Sequence, residues 1–178
     1  MTRPAGTGPA RTGRGTVGPA GTDRTGTRGR APRWAVYSSL ALSLAGLAVA
    51  GYLTLEHLTA SVTLACPDTG VINCRKVTSS EQSSLFGVPL PVLGGLFFLT
   101  MTALCLPSAW RLAVPAVPWI RLGLATSGVL FVLYLVYAEL FILDAICLWC
   151  TVVHVLAFAL FVVLALAAAV APARVTGN

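Results

Sequence analysis

Charge is the scarcest property of this 178-residue sequence: only 10% of its residues are Asp, Glu, Lys or Arg, against 56% hydrophobic residues. Its mean hydropathy of +0.82 lies far outside the soluble range. So little polar surface excludes a secreted disulfide miniprotein, a cytosolic Rossmann-type enzyme and a disordered acidic or basic regulator. The composition is that of a membrane protein. Nor does the net charge of +6 mark a nucleic-acid surface, because seven of the twelve basic residues (Arg3, Arg11, Arg14, Arg24, Arg28, Arg30 and Arg33) fall in the first 33 positions. That stretch of Gly, Thr, Pro, Ala and Arg has no apolar periodicity. It reads as a disordered cytoplasmic tail over residues 1–33, serving as an orientation signal or a contact with anionic lipid.

A spanning helix needs about 20 apolar residues at about 1.5 Å rise each. Four stretches qualify: residues 34–55, 87–106, 120–143 and 145–171. The second has Pro89 and Pro91 at its start, where a missing N–H costs nothing, and stops at Pro107. The expected fold is an all-α integral membrane protein, a four-helix bundle with a long outer loop over residues 56–86 and a short cytoplasmic tail at 173–178. With the N-terminus inside, ten of twelve basic residues face the cytoplasm and five of six acids face out, which sets both termini inside. In this count Arg121 flanks span three on the cytoplasmic side, and Glu139 and Asp144 are water-accessible charges at the outer interface. Ala48-Val49-Ala50 imitates a signal-peptidase site, but the apolar run continues to Leu55, so span one is expected to remain.

Topology then sorts the five cysteines. Cys66 and Cys74 lie in the outer loop, Cys147 and Cys150 at the outer end of span four, and Cys105 near the inner end of span two, where it reads as a small buried apolar residue. Four thiols therefore sit on the side where disulfides persist. Cys147-Leu148-Trp149-Cys150 is a C-x-x-C that can close a small redox-active disulfide. With Asp144 as the N-cap of span four, Cys147 falls in the first turn, where unpaired N–H groups and the helix dipole favour a thiolate. Two dithiols on one side of a small bundle can pass an electron pair by thiol–disulfide exchange, and a lipid-dissolved quinone is the obvious acceptor. A C-x-x-C also serves zinc sites and structural bridges, and a loop pair can be a plain staple.

The combination of Cys66-x7-Cys74, Val77, Ser80, the run Phe86-Gly87-Val88-Pro89-Leu90-Pro91-Val92-Leu93-Gly94 and the C-x-x-C heading the last span resembles the vitamin K epoxide reductase family. The resemblance covers residues 34–171 and leaves the Arg-rich tail outside. It implies, as in bacterial relatives, a plasma-membrane enzyme whose loop pair takes electrons from a thioredoxin-fold protein. The C-x-x-C then reduces ubiquinone or menaquinone, driving disulfide formation in exported proteins. By the same resemblance Cys66 faces the partner, Cys74 attacks the disulfide through Cys147, Cys150 lies nearest the quinone, and Ser80 supports the loop helix and the site. No thioredoxin-like domain is fused here, so that partner is expected to be a separate protein. Trp149 and the uncharged helix walls suit a flat quinone pocket. Where vertebrate members carry a tyrosine four residues after the second C-x-x-C cysteine, this chain has His154, an ionisable side chain inside a span and a hydrogen-bond donor to a quinone. That departure points to quinone rather than epoxide as substrate.

Two other classes compete with this reading. A non-enzymatic four-span protein with a structural loop disulfide would keep its thiols in one fixed state. A haem carrier using His57 and His154 is disfavoured by their different depths and by Thr151, rather than His, after the C-x-x-C. No metal or haem is expected.

Overall fold

The computed structural model describes residues 32–59, 72–78, 80, 83–85, 87–112 and 114–170. The tail at 1–31, Cys66 with most of the outer loop, and residues 173–178 lie outside the described residues.

Three helices are long and apolar enough to cross a membrane: α1 (Arg33–Thr59), α5 (Ala116–Phe141) and α6 (Leu148–Val170). Between α1 and α5 come a short loop helix α2 (Cys74–Thr78), a hairpin of β1 (Ser84–Leu85) and β2 (Val88–Pro89), and the helices α3 (Leu90–Cys105) and α4 (Pro107–Arg111). Helix α3 is apolar but has 16 residues, about 24 Å at 1.5 Å per residue.

Proline places most of these boundaries. Residues 87–89, expected in span two, instead turn at Gly87 (φ 78°) and return as β2, and α3 starts at Leu90 with Pro91 in its first turn. It stops at Cys105 because Leu106 precedes Pro107 and is held extended (φ −55°, ψ 142°). Helix α5 begins at Ala116, four residues before the expected start, since Pro118 in a first turn breaks no hydrogen bond.

Helix α1 packs chiefly against α3 and α6, and α6 also packs against α5. Phe98, Met101 and Leu160 are fully buried between them, with Ala50, Ala125 and Ala157 allowing close approach. Gly46 is required there, because a Cβ at that position would overlap the Phe98 ring. Large side chains on the outward faces, such as Leu130, Leu133, Val155 and Phe158, stay exposed, as a lipid-facing surface requires. Helical serine and threonine hydroxyls turn back onto their own backbone, Ser43 donating to the Ser39 carbonyl and Thr102 to that of Phe98, so these two need no water in the apolar layer.

Two expected interface charges are buried instead. Arg121 is 3% exposed: its Nε donates to the Leu104 carbonyl at 2.8 Å, and its guanidinium lies 3.9 Å from the centre of the Trp110 ring. Carbonyls at the end of a helix lack an intrahelical partner, and here the Arg121 cation satisfies that of Leu104. Glu139 is 6% exposed, because the chain folds back over it after α5, with the Ala145 N–H donating to the Glu139 carbonyl at 3.2 Å.

Candidate active site

The segment from Ile142 to Cys147 joins α5 to α6 and aims the C-x-x-C. Asp144 takes a left-handed conformation (φ 44°) that Asp tolerates better than most residues. It does not cap α6. Ile146 forms a parallel bridge with Ile72, and the Asn73 N–H donates to the Ile146 carbonyl at 3.1 Å, so the chain is extended up to Cys147 and the helix starts at Leu148, not at Ala145.

Cys147 itself then occupies the N-cap position. Its Sγ accepts the Cys150 N–H at 3.3 Å, and its carbonyl accepts the Thr151 N–H at 2.9 Å and the Thr151 hydroxyl at 3.0 Å. The sulfur is in effect the capping acceptor. The hydrogen bond from the Cys150 side chain is the largest influence holding the Cys147 thiol below its ordinary range, helped by the N–H groups of Cys150 and Trp149. Burial and the Glu139 charge work against it. Both C-x-x-C cysteines are free thiols, Cys147 fully buried and Cys150 half-buried. Cys105 is also free, buried within the core as a small apolar residue.

The same Ile72–Ile146 bridge brings the loop helix to the C-x-x-C. Asn73 caps α2, its Oδ1 accepting the Lys76 N–H at 2.8 Å, and Cys74 follows directly, 2% exposed and engaged in a disulfide. Cys74, Val77, Ala145 and Cys147 form one buried cluster, with Trp149 and Cys150 against it. Ser80 closes the far end of α2, its Oγ donating to the Val77 carbonyl at 2.8 Å, while the Ser80 carbonyl accepts from Ser83.

Below this cluster is a partly open cavity of about 340 Å³ lined by α1, α3, α5, α6 and the loop helix. Phe97, Phe98, Phe131 and Leu135 supply apolar wall; Ser80, Glu139, Cys150 and His154 supply the reactive or polar groups. His154, one turn along α6 from Cys150, is 7% exposed. Thus Ser80, Cys150 and His154 share one cavity, and Cys74 joins Cys147 immediately above it. Trp149 is not among the described cavity walls; it packs on the Tyr52 ring of α1, 5.1 Å between centroids, beside the loop cluster. Sequence reasoning assigned Glu139 no chemistry, although the signal was there: an acid within an otherwise apolar helix. Residues 37–165, which hold every one of these groups, match the Vitamin K epoxide reductase family.

Proposed function

Because this chain belongs to the vitamin K epoxide reductase family of membrane oxidoreductases, we propose that it relays electrons from a thioredoxin-fold partner, through a Cys66–Cys74 loop pair, to Cys147 and Cys150 and on to a membrane quinone. The observation that carries this reading is the shared position of Cys150, which adjoins both the buried Cys74–Cys147 cluster and the apolar cavity. Among the described residues Cys105, Cys147 and Cys150 are free while Cys74 is in a disulfide, as a loop pair in its oxidised form requires. In this reading α3, with the flanking hairpin and α4, completes a fourth crossing. The termini lie in the cytoplasm, and the cysteine loop and C-x-x-C lie on the outer face of the plasma membrane.

The residues fit a quinone. The cavity is within the size range of ligand pockets, about 300–1,000 Å³, and its aromatic walls suit a flat ring, with Glu139 and His154 among its few polar side chains beside Cys150. When bound, the quinone would take up the electron pair and two protons. The chain's own part is thiol chemistry. Reduced Cys74 attacks Cys147 of the C-x-x-C disulfide, giving a Cys74–Cys147 bond and releasing Cys150 as a thiolate. The Cys66 thiolate then attacks Cys74, restoring the loop disulfide and freeing Cys147. The N-cap hydrogen bonds at Cys147 stabilise it as the leaving thiolate. His154 would donate to an oxygen of the bound quinone, whose ring would lie against the apolar walls.

Cys150→Ala tests the relay. Cys147 then cannot close its own disulfide, so it attacks Cys74 and a Cys74–Cys147 bond accumulates, detectable by mass spectrometry of the alkylated, digested protein. A Cys150→Ala protein in which Cys147 stays fully alkylatable and Cys74 never leaves its original disulfide would remove the relay.

A further inference from the structure

Among the described residues lining the cavity, Cys150, His154 and Glu139 are the titratable ones, and none is Lys or Arg. Glu139 projects from the outer end of α5. The residue is 6% exposed and lines the cavity, and no described residue hydrogen-bonds or ion-pairs with its carboxyl. An ionised carboxylate against apolar walls with no cation beside it is costly. A Cys147 thiolate nearby raises that cost, and the two charges oppose one another. His154 has no described hydrogen-bond partner either, but it lies deeper along α6, beyond Cys150. The acid nevertheless lies beside the C-x-x-C, where protons must leave the dithiol on oxidation.

We propose that Glu139 stores the second proton of the C-x-x-C redox step, so that the site carries one negative charge before and after each turnover. This deepens, and rests on, the quinone reading above. In the reduced site Cys147 is a thiolate accepting the Cys150 hydrogen bond, and Glu139 is a neutral carboxyl. On oxidation the two sulfurs give up an electron pair and join. The Cys150 S–H and the Glu139 O–H bonds break, and both protons leave with the electron pair to form the quinol. Glu139 is left as carboxylate in place of the Cys147 thiolate. When the loop dithiol next reduces the C-x-x-C, its two protons restore Cys150 S–H and Glu139 O–H while the loop sulfurs join. Atoms, electrons and charge balance in both halves.

The test uses the purified full-length protein in detergent, dithiothreitol as donor and menadione as quinone probe. Glu139→Gln lowers kcat at least about tenfold, as loss of a proton-transfer group does, leaves KM for menadione unchanged, and makes the remaining rate fall as pH rises because the second proton must come from solvent. Glu139→Asp restores the rate and the wild-type pH profile. Independently of any variant, the reduced-minus-oxidised infrared difference spectrum of the wild type gains the band of a neutral carboxyl on reduction. Wild-type rate and pH profile in Glu139→Gln, a change confined to KM, or a wild-type spectrum without the carboxyl band would each overturn the proposal. If the wild type itself reduces no menadione, the quinone reading fails first and this proposal falls with it.

Discussion

The N-cap of the loop helix offers a quantitative test of how Cys74 is held over the C-x-x-C. A helix of five residues has no stability of its own; α2 persists because Asn73 caps it and because Val77 and Cys74 are buried against Ala145 and Cys147. Asn73→Ala removes the bond from Lys76 N–H to Oδ1 but keeps the backbone bond to Ile146. Loss of a cap of this kind costs about 1 kcal/mol, within a range of about 0.5–2. At a factor of ten per 1.4 kcal/mol this raises the population of locally opened α2 about fivefold, within about two- to thirtyfold. Peptide-resolved hydrogen exchange reads that population directly, since local opening governs exchange. Amides of residues 74–78 should exchange about fivefold faster in Asn73→Ala, with α5 and α6 unchanged, and Asn73→Asp should return them to the wild-type rate. Unchanged exchange in α2, or an equal acceleration throughout the protein, would refute the capping argument.

Three further outcomes follow from the same geometry. Cys66→Ala should abolish turnover driven by reduced thioredoxin while dithiothreitol still feeds the C-x-x-C, measured as quinone reduction with each donor. Gly46→Ala puts a methyl into the Phe98 ring and should destabilise by about 1–3 kcal/mol, whereas Gly51→Ala, with nothing near the added Cβ, should be neutral or gain up to about 1 kcal/mol; thermal unfolding in detergent separates the two. Cys147 reacts as a thiolate, so its exchange with the loop disulfide must fall as pH drops through its pKa. Because the Cys150 hydrogen bond holds that value down, the fall should begin below the ordinary cysteine value of about 8.5 in Cys150→Ser, which keeps a donor, and at a higher pH in Cys150→Ala.

What was legible in the sequence was whatever local rules decide. The apolar runs of α1, α5 and α6 appear with only small errors at their ends, and Pro107 ends α3 as expected. The misplaced boundaries have non-local or positional causes. Pro118 looks like a breaker yet sits in a first turn, and α6 starts late because Ile146 is held extended by Ile72, 74 positions earlier in the chain. Asp144 fits an N-cap by type and spacing, but the Ile72–Ile146 pairing moves the helix start and hands the cap to the Cys147 sulfur. The cysteine motifs were visible by spacing alone; that Cys74 and Cys147 share one buried cluster was not, since it depends on α2 folding back onto the turn before α6. Glu139 was read as a water-accessible charge because an acid at the end of an apolar run usually is one. Only the fold of residues 142–147 over it makes it an interior group.

The most direct test of thiol-to-quinone transfer is steady-state reduction of ubiquinone and menaquinone analogues by the purified protein with a dithiol donor, comparing wild type with Cys147→Ala and Cys150→Ala. Turnover by the wild type and none by either variant is the predicted result. A wild type that reduces neither analogue, with alkylation showing every cysteine fixed in one redox state, would contradict it and make the loop disulfide a structural staple.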